Sequence, residues 1–180
     1  MEGALCTLEV GKIEDSQRIY QIHTSAIKQL CSSHYGENEI LTWAGKQKQE
    51  TYIPFLESGD IIVAKKNGIV VGFIHHIEHT KDTNESCSKQ CSNNELEIKG
   101  LFIDPNFARN GLGRLLFKEV EAKALEKGVE IVNVSASLNS LPFYRKMGFE
   151  EIERKSHQIT CQCLVECVRM VKHLNKIMKF

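Results

Sequence analysis

Arg109-Asn110-Gly111-Leu112-Gly113-Arg114 is the run whose residue types and spacing could do chemistry. It follows an apolar, β-rich stretch (Leu96, Ile98, Leu101, Phe102, Ile103) that stops at Asp104-Pro105. It opens a helical pattern with Leu115, Leu116, Val120, Ala124 and Leu125 on one face and Lys118, Glu121, Lys123 and Glu126 on the other. Gly128 ends that helix as a C′ residue would. The first turn of a helix has N–H groups without intrahelical partners at the positive end of its dipole, which suits a diphosphate. Gly111 and Gly113 let such a ligand approach the backbone because no Cβ intervenes. Arg109 and Arg114 add charge at the same place. For a Gly-x-Gly turn alone, a tight strand-to-helix loop is the alternative. A dinucleotide fold would need a third glycine and a motif near the first strand, and a nucleoside-triphosphate loop would need Gly-Lys-Ser/Thr; neither is present.

The run LFIDPNFARNGLGRLLF, followed by NSLPFYRKMGF, resembles the acyl-CoA-binding core of the GCN5-related N-acetyltransferase (GNAT) superfamily. The likeness is close over residues 95–149 and looser over 5–174. It implies an α/β (α+β) fold with a mixed, largely antiparallel twisted sheet of about seven strands flanked by about four helices. It also implies acetyl-CoA as cosubstrate, no metal, and direct attack by a primary amine of a small molecule within a ternary complex. A protein or peptide acceptor, or a CoA-binding regulatory protein of the same fold, is the alternative. The resemblance assigns the cradle to Asn110, Gly111, Leu112, Gly113 and Arg114, with Arg109 beside it. Leu101, Phe102 and Ile103 would present strand backbone to the pantetheine arm, Asn139 would hydrogen-bond it, and Phe143 would wall the cofactor. Tyr144 would protonate the leaving thiolate, and Glu97, fourteen residues before Gly111, would take the amine proton. The family turn reads Arg/Gln-x-x-Gly-x-Gly/Ala, and Ala108 at its first position departs from it, which puts one side-chain contact in doubt.

Each of these residues has a plainer reading. Glu97 alternates with Glu95 and Lys99 as a solvated strand residue would, and a bulge would bring Glu95 forward instead. Tyr144 could pack a short helix on the sheet. Asn139 or Ser140 could be that helix's N-cap. Tyr35, Trp43 and Tyr52 are candidates for an acceptor pocket or for lid and core packing. His75 and His76 sit on a strand, one of them facing inward, and His76 is the candidate acceptor contact. His157 falls in a loop between the last two strands.

The rest of the chain must position these groups. Residues 4–10 read as a first strand and 14–31 as an amphipathic helix with Ile19, Ile22, His23, Ala26, Ile27 and Leu30 recurring at helical spacing. A looser segment ending near Ser58 holds a second helix or two short ones. Residues 60–65 and 69–77 form a hairpin about Asn67-Gly68. A long polar loop fills 79–94, and residues 130–134, 148–155 and 163–171 supply the closing strands. At 180 residues the chain is long enough for a full core and too short for two comfortable domains, so the resemblance implies a single N-acetyltransferase domain over 1–180. Basic and acidic residues balance at 23 each without a basic stripe, so nucleic acid and acidic membrane are not expected as partners. No transmembrane run or signal core is present, and a cytoplasmic, possible homodimeric enzyme is expected. Seven cysteines are read as reduced thiols rather than a disulfide framework or zinc site. Cys87 and Cys91 are the expected exposed thiols, and Cys161, Cys163 and Cys167 should share a strand face.

Overall fold

A computed structural model describes residues 6–79 and 94–174. The expectations for Ala4, Leu5, the loop after His79, Cys87 and Cys91 lie outside the described residues. The chain runs β1 (Cys6–Val10), α1 (Ser16–Leu30), α2 (Glu37–Gly45), α3 (Ile53–Glu57), β2 (Ile61–Lys66), β3 (Ile69–His79) and β4 (Glu95–Ile103). It continues with α4 (Leu112–Glu126), β5 (Ile131–Ser137), α5 (Leu141–Lys146), β6 (Glu150–Thr160) and β7 (Cys163–His173). The sheet order is β1-β2-β3-β4-β5-β7-β6, with β4 and β5 parallel and every other neighbour antiparallel.

Among the described residues five α-helices flank this sheet, where about four were expected; the segment after α1 takes the two-helix form of the expectation, as α2 and a short α3 with proline in its first turn. Leu116, Phe117, Val120 and Ala124 of α4, with Leu141 and Tyr144 of α5, cover one face. Helices α1 to α3 cover part of the other, through Ile19, Ile22, Ile27, Ile40 and Leu56. The hairpin turns on Asn67 and Gly68, both with positive φ (52° and 77°), as a two-residue turn between right-twisted strands requires. No helix among the described residues is long and apolar enough to cross a membrane.

Two features of the sheet create the site. Opposite β3 the register jumps from His75↔Gly100 to His76↔Ile98, leaving Lys99 as the extra residue of a bulge. Leu96, Ile98, Leu101 and Ile103 therefore all contribute to the α4-side core, although strict alternation would separate the two pairs. Just there, parallel pairing between β4 and β5 ends at Ile98↔Val134, while β4 runs on to Ile103 and β5 to Ser137. The two strand ends part, and their facing backbone groups are left for something other than each other.

Helix α4 differs from expectation on its faces. Its buried residues are Leu116, Phe117, Val120, Glu121 and Ala124, and Leu115 is exposed. The buried stripe is centred on the side of Phe117, which packs on Phe149 and lies about 200° around the helix from Leu115. Glu121 is buried because Lys118 and, from β7, Lys172 reach its carboxylate. The helix ends as expected: Gly128 has φ 74°, its N–H donates to Leu125 O (3.1 Å), and Val129 N–H donates to Ala124 O (2.9 Å).

Candidate active site

Strand β4 ends at Asp104, whose buried side chain accepts from Asn106 N (2.8 Å) and Asn106 Nδ2 (3.0 Å) and pairs with Arg18 of α1. Arg18 also donates from Nε to Val70 O (3.0 Å). This ties α1, β3 and the end of β4 to the turn that follows. Along that turn Arg109 (φ 65°) and Gly111 (φ 79°) both adopt left-handed backbone. Gly111 is the N-cap of α4 and offers no side-chain cap; the first helical bond is Leu115 N–H to Gly111 O (3.0 Å). The N–H groups of Leu112, Gly113 and Arg114 thus precede the helical ladder, and no acidic residue stands in the first turn to take them. At Gly113 a Cβ would stand 3.4 Å from both Leu101 and Phe143. The backbone is bare where the parted strands open onto it.

A cleft of ≈ 330 Å³ occupies this opening. The strand side is Leu101, Phe102 and Ile103, and the turn side is Ala108, Arg109 and Gly111 to Arg114. Asn139, Phe143 and Tyr144 form the third wall; Cys31 and Trp43 close the side toward α1 and α2. Asn110 is not in the lining, and its Nδ2 turns back toward Phe107 O (3.4 Å). Tyr144 is buried, in edge contact with Phe143 and Phe149, and burial raises its pKa above the ordinary tyrosine value, keeping the phenol protonated. Asn139 is not a helix cap. Ser140 holds the N-cap position, its hydroxyl donates to Ser137 O (2.8 Å), and Asn139 Oδ1 instead accepts from Cys31 Sγ (3.3 Å). Burial pushes the Cys31 thiol up to about 11, against the opposing effect of Asn139.

A second, polar cavity of ≈ 280 Å³ adjoins the cleft and shares Val134 and Ser135 with it. Glu97 lies here, not in the main cleft, with its side chain 33% exposed. Its Oε1 accepts from Lys99 Nζ (3.0 Å), and His79 Nε2 is 3.7 Å from Oε2. Glu95 lines the same cavity and accepts from Asn133 Nδ2 (2.9 Å). Lys155 and Arg169 close the opposite side. Asn133, Ser135, Lys155 and Arg169 were not singled out from sequence, although the alternation Asn133-Val134-Ser135-Ala136-Ser137 already marked a strand with one polar face.

Other expected contacts lie elsewhere. Tyr35 is buried, donating its hydroxyl to Glu166 O (2.7 Å) and accepting from Leu138 N (2.8 Å), so it pins the turn that carries Asn139 rather than lining either cavity. Trp43 does line the cleft, edge-on to Tyr35. His76 is buried in β3 away from both cavities, with burial lowering its pKa, and His75 packs on Phe55. Tyr52 is core, its hydroxyl 2.7 Å from His23 Nδ1. His157 is an exposed residue of β6, because the strand runs five residues beyond the expected end. Cys163 and Cys167 are buried on β7, whereas Cys161 is exposed in the turn before it. Among the described residues no group of three His, Cys, Asp or Glu is arranged to hold a metal.

Comparison with known proteins fits this geometry. A family model described as an acetyltransferase (GNAT) domain matches residues 31–172. The chain is similar to an uncharacterised N-acetyltransferase of Escherichia coli, YafP, with 28% identity over 82% of each chain. An uncharacterised N-acetyltransferase of Chlorobaculum tepidum is 32% identical, covering 73% of this chain and 72% of the relative. Among solved structures, the PaiA N-acetyltransferase of Thermoplasma acidophilum in complex with coenzyme A superposes with a TM-score of 0.73 at 20% identity, over 94% of this chain and 99% of that one.

Proposed function

Because the chain belongs to the GNAT acetyltransferase family, we propose that it is an acetyl-CoA-dependent N-acetyltransferase acting on the primary amine of a small molecule. The observation that carries this reading is the parting of β4 and β5 above the uncapped start of α4, with the resulting cleft joined to a polar cavity through Val134 and Ser135. The N–H groups of Leu112, Gly113 and Arg114 would hold the diphosphate, aided by Arg109 and Arg114. Ala108 supplies no polar side chain, so the backbone carries this contact. The unpaired edge of β4 from Leu101 to Ile103 would bind the pantetheine amides, with Asn139 opposite and Phe143 as an apolar wall.

Catalysis then needs three proton movements. Glu97, directly or through one water, would take a proton from the acceptor ammonium. The freed lone pair would attack the thioester carbonyl, the C–S bond would break with Tyr144 giving its proton to the departing sulfur, and the second proton shed by the nitrogen would pass through solvent and restore the Tyr144 phenol. The place of Tyr144 in the cleft wall supports the donor role; its burial keeps the proton on the phenol at neutral pH, at the cost of making it a weaker acid. The ≈ 280 Å³ size of the polar cavity supports a small acceptor over a polypeptide.

The test is CoA-thiol release from acetyl-CoA across a panel of small amines and peptide amino termini. Release driven by a small amine is the expected result. Release with peptides alone would move the acceptor to proteins, and binding of acetyl-CoA without release for any acceptor would favour a regulatory CoA-binding role.

A further inference from the structure

The polar cavity has an acidic side and a basic side. We infer that the acceptor is a small primary amine whose far end carries an anion, a carboxylate or a phosphate, with Arg169 and Lys155 as the anion-binding residues. This rests on the acetyltransferase reading above and names its substrate class.

The register places the two sides. Glu97 is paired with Asn133 across β4 and β5, Ser135 with Arg169 across β5 and β7, and Arg169 with Glu153 across β7 and β6. A row of polar side chains therefore crosses one sheet face, from Glu97 beside the acyl cleft to Arg169 and Lys155 at the outer strands. Neighbouring strands are about 4.8 Å apart, so β4 and β7 backbones stand about 10 Å apart, a span that the side chains shorten to the length of a small molecule.

Charge along the row is uneven. Lys155 Nζ is 2.9 Å from Glu153 Oε1, and Arg169 Nη1 is 3.5 Å from the same oxygen. One carboxylate shared by two cations leaves a positive excess, and 3.5 Å is long for a charge-assisted bond, so the guanidinium can turn to a ligand. At the other end Glu97 and Glu95 face the cavity with Lys99, His79 and Asn133 as partners. Asn133 Oδ1, in the wall between, has no hydrogen-bond partner among the described residues. An ammonium fits beside Glu97 at the mouth of the acyl cleft, and an anion fits beside Arg169. A second ammonium there would be repelled, and an alkyl tail would desolvate both cations without compensation.

The experiment is the thiol-release assay with 4-aminobutyrate and phosphoethanolamine against butylamine and ethanolamine as neutral-tailed counterparts and 1,4-diaminobutane as the cationic one. Stabilisation by acetyl-CoA is measured in parallel for each variant as a check on folding. Wild type is expected to favour the anionic amines by about tenfold or more in kcat/KM, the scale of one charge-assisted contact. Arg169→Gln and Lys155→Gln should each reduce that ratio mainly through KM, with Arg169→Lys keeping part of it. The carboxylate and phosphate arms separate the two anions. Equal or better use of neutral or cationic amines, or an unchanged ratio in Arg169→Gln, would overturn the inference while leaving the acetyltransferase reading intact, provided acetyl-CoA still stabilises the protein. Absence of that stabilisation in wild type would remove both. If Arg169→Gln does not fold, the wild-type preference and Lys155→Gln decide.

Discussion

Tyr144 is the side chain whose removal should report most cleanly on chemistry, because it lines the cleft while its ring packs on Phe143 and Phe149. Tyr144→Phe keeps the ring and deletes the proton. It is expected to lower kcat by about 100-fold, the usual scale of one general acid, with acetyl-CoA affinity changed only slightly. Steady-state kinetics beside titration calorimetry would check this, and an affinity loss matching the rate loss would assign Tyr144 to binding. At this scale the sequence was legible where backbone chemistry decides. Gly111 signalled the helix start because its left-handed φ of 79° favours glycine, and Gly113 left the first turn bare because it adds no side chain. It was illegible where a partner distant in the chain decides. Nothing in the residues around Tyr35 shows that its hydroxyl bridges Glu166 and Leu138, nor that Cys31 holds Asn139.

The elements are positioned by a bulge, a split and a buried ion pair. The bulge at Lys99 lets β4 present Leu101 and Ile103 to α4 while Glu97 stays on the opposite face, beside the polar cavity. Periodicity foresaw the strand but not the bulge, since one extra residue changes pairing with β3 and leaves the local pattern apolar. Periodicity also put Glu121 on the solvent side of α4, whereas Lys172 of β7 draws it inward and lies over the Phe117 ring at 5.2 Å. Burial alone would raise the Glu121 pKa, but hydrogen bonds from Lys118 and Lys172 override it and hold the group below the ordinary glutamate value. A depressed carboxylate contributes stability above its unfolded pKa and loses it as pH falls through the folded value, so this contribution fades below about pH 4.3. Glu121→Ala should cost about 1–3 kcal/mol at pH 7, since it removes the carboxylate shared by Lys118 and Lys172 and leaves the half-buried Lys172 on Met147 O, and the loss should shrink in acid. Urea denaturation at pH 7 and pH 3.5 would measure both; an equal small effect at each pH would mean the pair is merely exposed.

Across the described residues, helices pack on both faces of the sheet, and the polar cavity opens on the face that carries Glu97, toward Lys155 and Arg169 of the outer strands. The covered part of that face holds a histidine and aromatic cluster: the His23 ring is 3.8 Å from Phe102, and Tyr52 closes its Nδ1. Burial, with a smaller effect from His75, lowers the His23 pKa to about 3, and burial brings His75 to about 4. A histidine with a depressed pKa stabilises the fold above its unfolded value and ceases to do so as pH falls, here across the window from 6.5 down to about 3. From His23 alone the loss at pH 5 is about 2 kcal/mol. Melting temperature should therefore drop between pH 7 and pH 5, and less steeply in His23→Phe; an identical slope would place the acid sensitivity elsewhere. The strand and helix order was readable from hydrophobic spacing and turn residues, because these are local. The family resemblance supplied a mixed sheet of about seven strands, but the edge-to-edge order and the parting of β4 from β5 were not read from the sequence, because strand pairing joins residues far apart in the chain.

On the proposed reading, acetyl-CoA binds at the uncapped start of α4, set where two strands part. Titration calorimetry with acetyl-CoA, CoA, NADH and ATP on wild type and on Gly113→Val tests it most directly. Binding confined to the two CoA compounds, and weakened in the variant because the new side chain crowds Leu101 and Phe143, is the expected result. Heat from none of the four, or equal binding of NADH and ATP, would contradict the account.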